Sequence, residues 1–109
     1  MPAYLVQVSY AAPALSTLVA NPQNRAEAVR KVVKNLGGKT IGTWLSFGEY
    51  DTVTIIEMPD SVTAAAFALA IAAGGSLKAV KTTPLLSPEE GLAALEKAGT
   101  SGYKPVSAK

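Results

Sequence analysis

Two carboxylates stand where acid–base chemistry could be done: Asp51, just past Gly48-Glu49-Tyr50, and Glu57, at the end of the run Thr52-Val53-Thr54-Ile55-Ile56. A carboxylate acts as a general base, or anchors a ligand, when burial raises its pKa toward neutrality. Asp51 and Glu57 are therefore the catalytic candidates. Tyr4, Tyr10, Trp44, Ser46 and Tyr50 are the residues that could line a small-molecule pocket, with apolar rings for contact and hydroxyls for orientation. Each has a plainer reading. Gly48 can make a turn, Tyr50 can pack on Phe47, and Asp51 can hold loop amides. The other aromatics can fill a core or an interface, and Glu57 can pair with Lys39 at the sheet edge.

Most other chemistries are closed to this chain, because it has neither cysteine nor histidine. A Ser-His-Asp triad, a Cys-His dyad, a zinc site of the usual ligands and a haem with a proximal histidine cannot be built within one copy. The reading is of no metal and no cofactor. Hydrophobic residues make up 49% of the 109 residues and charged residues 17%, against roughly 25% charged in ordinary soluble domains. So little charge leaves a monomer's surface thinly covered, which favours a homo-oligomer. The net charge of +2 comes from ten Lys and Arg with no basic run, so no nucleic-acid partner is expected. The start MPAYLVQVSY lacks a secretion signal, and no stretch is long enough to span a membrane, so the expectation is a cytoplasmic protein with no membrane partner.

The elements that must position these groups follow from periodicity. Ala3 to Tyr10 alternates as a strand, with Tyr4, Val6, Val8 and Tyr10 on one side and Leu5, Gln7 and Ser9 on the other. A short helical turn is expected near Pro13, ending at Asn21-Pro22. From Gln23, Ala26, Val29, Val33 and Leu36 recur at helical spacing, and Gly37-Gly38 supplies the left-handed stop. Lys39 to Phe47 and Tyr50 to Met58 then read as a hairpin about a two-residue type II′ turn at Gly48-Glu49. That register sets Leu45 opposite Thr52, Thr43 opposite Thr54 and Ile41 opposite Ile56 on one face. Trp44 opposite Val53, Gly42 opposite Ile55 and Ser46 opposite Asp51 fall on the other, which Glu57 shares. Both faces carry large apolar groups, and the simplest cover for the second is another copy of the same sheet.

Pro59-Asp60-Ser61 offers a cap for a helix, TAAAFALAIAAGG, that is apolar nearly all round and so is expected to pack on more than one side. Ser76 to Leu86 is the last main strand, with Leu77, Ala79 and Val80 facing inward. Ser87-Pro88-Glu89-Glu90 caps a final helix through Ala98. The expected division is a domain over residues 1–98 and a polar tail over 99–109.

The order strand, helix, strand, strand, helix, strand is the α+β, ferredoxin-like split β-α-β-β-α-β arrangement, with a four-stranded antiparallel sheet and an added C-terminal helix. Phe47-Gly48-Glu49-Tyr50-Asp51, Ile56-Glu57-Met58-Pro59-Asp60, Asn21-Pro22, Arg25, Leu36-Gly37-Gly38-Lys39, Ser87-Pro88-Glu89-Glu90-Gly91 and Gly102-Tyr103-Lys104-Pro105 together resemble the GYD domain family. The resemblance spans nearly the whole chain. It implies a fold similar to the dimeric α/β-barrel proteins, which pair sheet to sheet and in several cases hold a small organic molecule between sheet and helices. Some of those are cofactor-independent monooxygenases, isomerases or decarboxylases, and many of the catalytic ones use a histidine, which is missing here. Three readings follow: a homo-oligomer binding a small organic ligand at the sheet, a cofactor-independent enzyme, and a structural or regulatory protein whose alanine-rich helix docks on another chain.

Overall fold

Alternation along the first strand decides which side of the sheet is inside: Tyr4, Val6 and Val8 are buried while the residues between them are only partly covered. The computed structural model describes residues 1–106. Its elements run β1 (Ala3–Tyr10), α1 (Ala12–Ala20), α2 (Ala26–Asn35), β2 (Lys39–Leu45), β3 (Thr52–Glu57), α3 (Ser61–Ala73), β4 (Leu77–Leu85) and α4 (Pro88–Ala98). The strands form one antiparallel sheet in the order β2-β3-β1-β4. This is the ferredoxin-like order, with α4 following the last strand.

One face of that sheet is closed. Tyr4, Val6, Val8, Ile56 and Met58 pack with Val33 of α2 and Ala64 and Phe67 of α3, and Val29, Val32, Leu36 and Ile71 extend the contact. Each helix is stopped where its sequence says. Gly37, at φ 85°, donates its N–H to Lys34 O, and Gly38 donates to Val33 O, which satisfies the last carbonyls of α2. Gly38 is also a point of close approach: a Cβ there would come within 2.5 Å of both the Glu57 carbonyl oxygen and the Met58 sulfur. At the start of α3 the Asp60 carboxylate accepts hydrogen bonds from the Thr63 N–H at 2.8 Å and the Thr63 hydroxyl at 2.7 Å.

The hairpin departs from the expected one at two points. Its register holds from Leu45 opposite Thr52 to Gly42 opposite Ile55, and then Ile41 bulges out, so that Thr40 and not Ile41 lies opposite Ile56. The bulge keeps Lys39 on the outer face, opposite Glu57; an unbroken ladder would turn its ammonium into the core. The connection is also longer than a two-residue turn, since it spans residues 46–51, and Gly48 lacks the positive φ of a type II′ turn. The reason lies on β1, which draws the loop to itself: the Asp51 N–H donates to Val8 O and the Ser9 hydroxyl to Glu49 O.

A second irregularity corrects the last strand. Between Ser9 and Tyr10 the β1–β4 register shifts, so Val80 lies opposite Val8 and Leu77 opposite Tyr10, both against the core. Ala79 lies opposite Ser9 and is exposed, against the expectation that it faces inward. Residues 99–106 continue beyond α4 without helix or strand, and 107–109 of the expected tail lie outside the described residues.

Candidate functional site

The other face of the sheet is open. It carries Leu5, Gln7, Val53, Ile55, Glu57 and Trp44, and among the described residues none of the helices packs on it: α2 and α3 lie on the opposite side, and neither α1 nor α4 packs closely on a strand. The Trp44 ring lies along the strand over Gly42, where a Cβ would come within 2.6 Å of it, and Trp44 remains 53% exposed. A glycine two residues from a tryptophan on one strand face thus makes room for the ring to lie flat.

The remaining candidates divide between the two faces and one end. Tyr4 belongs to the closed face, where its phenol meets the Ser61 hydroxyl at 3.4 Å. It is therefore a core residue and does not share a pocket with Trp44. Asp51 sits at the end of the sheet, and its carboxylate accepts the Tyr10 N–H at 2.8 Å, extending the β1–β3 ladder by one side-chain rung. Ser46 donates its hydroxyl to the Tyr50 carbonyl, and its N–H to the Asp51 carbonyl at 2.8 Å. The structure thus joins Ser46 and Asp51 with the main-chain groups of Tyr10 and Tyr50 in one hydrogen-bonded loop. Glu57 stands apart at the opposite end of β3, between Ala3 and Lys39 in the ladder, and makes no ion pair among the described residues.

No enclosed chamber joins these groups among the described residues. The space between sheet and helices is filled by Phe67, Ile56, Met58, Val6 and Val33. Two open depressions lie on the outsides of single helices. One, of about 420 Å³, runs along α1 between Ala12, Leu15, Ser16, Val19 and Ala20. The other, of about 520 Å³, lies along α2 between Glu27, Ala28, Arg30, Lys31 and Lys34. Neither touches a candidate residue. Among the described residues no three carboxylates gather in a way that could hold a metal ion, and no helix is long and apolar enough to cross a membrane.

What the surface does offer is uncovered apolar area. α3 buries Ala64, Phe67 and Ile71 on one side, and on the other it presents Val62, Ala65, Leu69 and Ala73 to water, with Val62 79% and Leu69 70% exposed. α4 shows Leu92 and Leu95, and the hairpin tip shows Leu45 and Phe47. The α3 stripe was foreshadowed by a helix without a polar side. The α4 stripe has a signal too, in Leu92 and Leu95 set one turn apart, opposite Glu90 and Lys97. A buried threonine also escaped the sequence reading: Thr54 gives its hydroxyl to Gly42 O at 2.9 Å and meets Thr43 at 2.7 Å, stitching β2 to β3 from the inner side.

The family model described as GYD domain matches residues 4–95. A protein of Thermus thermophilus described as glutamine synthetase and cystathionine beta-lyase binding protein is similar over 78 residues at 30% identity, a stretch that covers 72% of this chain and 82% of that protein.

Proposed function

Since the chain belongs to the GYD domain family, we propose that it is a small cytoplasmic partner-binding protein that pairs with itself across the open sheet face and docks another protein on the outer stripe of α3. The observation that carries the reading is that stripe. A 13-residue helix with no charged side chain buries one side in its own core and leaves Val62 and Leu69 in water on the other. Apolar area of this kind, on an element already satisfied by its own fold, marks an interaction surface. The similarity to a protein described as binding two enzymes supports a protein as the occupant.

The two competing readings have less to stand on. A ligand site or a cofactor-independent active site needs a chamber, and within one chain the space inside the sheet is taken by side chains. A small organic ligand would have to lie between two copies, against Trp44 and Ile55. For catalysis, Asp51 would have to give up the Tyr10 N–H that its carboxylate now holds.

The test is direct binding of the purified chain to purified glutamine synthetase and cystathionine β-lyase from the same cells, measured by calorimetry. We expect one of the two to bind, and Leu69→Glu to weaken that binding at least about 30-fold, as for a central interface residue. If neither enzyme binds, or if the variant binds equally well, the reading fails.

A further inference from the structure

Two of the described helices, α1 and α4, bury no residue fully: α1 half-covers Ala14 and Leu18, and α4 half-covers Gly91. Both are well-formed. α1 takes Pro13 in its first turn and ends where the Asn21 N–H reaches the Thr17 carbonyl. α4 opens on a full capping box, the Ser87 hydroxyl accepting the Glu90 N–H at 3.1 Å and the Glu90 carboxylate accepting the Ser87 N–H at 2.9 Å. Isolated helices this short are marginal in water, so a cap alone does not hold them and a packed side is needed. Each keeps a further apolar side uncovered. In α1, Leu15 and Val19 lie along the 420 Å³ depression with Ala12, Ser16 and Ala20. In α4, Leu92 is 59% and Leu95 73% exposed, with the charged Glu90 and Lys97 on the far side of the helix.

The two cannot cover each other within one copy. The Ala11 N–H that begins α1 donates to Ser76 O, just before β4, while α4 starts past Leu86-Ser87 at the other end of that strand. Nine strand residues separate the two attachments, about 27 Å at ~3.4 Å per step. The molecule is long as a result: its extents are 59 × 34 × 22 Å, and its radius of gyration is 17.5 Å, where a compact chain of this length would have about 13 Å.

The exposed area says how much is left to cover. The chain exposes 7721 Å², whereas a folded monomer of 11.2 kDa is expected to expose about 5,700 Å². The excess, roughly 2,000 Å², exceeds the ~800 Å² per partner of a standard interface and falls in the range of permanent dimers. The open sheet face does not account for it. Four strands ~4.8 Å apart and ~20 Å long project only about 400 Å², and doubling that for side-chain relief still leaves more than half the excess on the helices and tail.

We propose that α4 is an exchanged arm: Leu92 and Leu95 of one copy seat in the α1 depression, against Leu15 and Val19, of a second copy of this chain. A second sheet packed face to face with its strands running the opposite way carries one copy's α4 end to the other's α1 end. A two-fold axis makes the exchange happen twice. The inference rests on the self-pairing proposed above but not on the docking of another protein at α3.

Because the chain has no cysteine, introduced ones report cleanly. Val19→Cys and Leu95→Cys lie at exposed positions, so neither variant should disturb the fold. The two variant chains are refolded together and oxidised, and the species are counted by mass. The expected result is a mixed disulfide dimer at least tenfold over either homotypic dimer. Wild-type protein should sediment as a dimer or larger, and Leu92→Asp combined with Leu95→Asp should raise its dissociation constant about 100-fold. A dimer without the mixed cross-link overturns the arm exchange and leaves sheet pairing standing. A monomer at all concentrations overturns both, and neither outcome bears on Leu69→Glu and enzyme binding.

Discussion

The two faces of the sheet are built from similar residues and end in opposite states. On one, Tyr4, Val6, Val8 and Ile56 lie under α2 and α3 and are essentially dry. On the other, Leu5, Val53, Ile55 and Trp44 have no element of the described residues packed above them. The difference teaches that strand composition announces burial without saying by what. A strand apolar on both sides is incomplete until two layers cover it, and here one layer comes from the chain itself while the second face stays open among the described residues.

Substitutions on the two faces should therefore fail in different measurements. Phe67→Ala, in the centre of the closed face, should cost about 3–5 kcal/mol of unfolding free energy in urea; a loss under 1 kcal/mol would mean that this core is not what holds the chain. Trp44→Lys, on the open face, should weaken self-association by about 2 kcal/mol, roughly 30-fold by sedimentation, with unfolding of the separated chain changed by no more than about 0.5 kcal/mol. Equal losses in both assays would erase the distinction between the faces. Gly38→Ala pushes a methyl group into the Glu57 carbonyl and the Met58 sulfur and should cost about 2 kcal/mol of folding stability, as overpacking does, without touching association.

Asp51 stands at the end where the faces meet. Asp51→Ala should lower stability by about 1.5–3 kcal/mol, the range for a hydrogen bond to a charged group, while Asp51→Asn keeps an acceptor for the Tyr10 N–H and should lose less. The ratio of the two in thermal melts checks the structural role. The smallest effect is a pH dependence. The Thr63 hydroxyl, and after it the Thr63 N–H, hold the Asp60 carboxyl below its ordinary value of 3.8. Its contribution to α3 is thus fully present above that value and is lost as pH falls through the lower folded one. Melts between pH 2 and 6 should show this loss in the wild type and not in Asp60→Asn.

Much of this was legible in the residues. Alternation on β1, the stop at Gly37-Gly38, the Asp60 and Ser87 caps and the order of the elements along the chain all follow from local patterns. The departures are places where a distant strand overrode a local preference. Gly48-Glu49 would form a tight turn if the hairpin stood alone, but β1 takes Asp51 and Glu49 as hydrogen-bond partners and the loop widens. The candidate residues were harder to read. Tyr4 and Trp44 look alike as strand aromatics, and only the sheet's closed side separates them. Asp51 looks free until the Tyr10 N–H is placed beside it.

The extra residue at Ile41 has a further consequence for how this chain can vary. Thr40 meets Ile56 and Gly42 meets Ile55, so the segments on either side of Ile41 already keep step with β3, and the residue between them is phase slack. A one-residue deletion at Ile41 would join two segments that are in step. The same deletion anywhere from Gly42 to Leu45 would invert every side chain between it and that slack. β2 therefore tolerates a change of length at one place only, and that place is fixed by the need to keep a lysine out of oil.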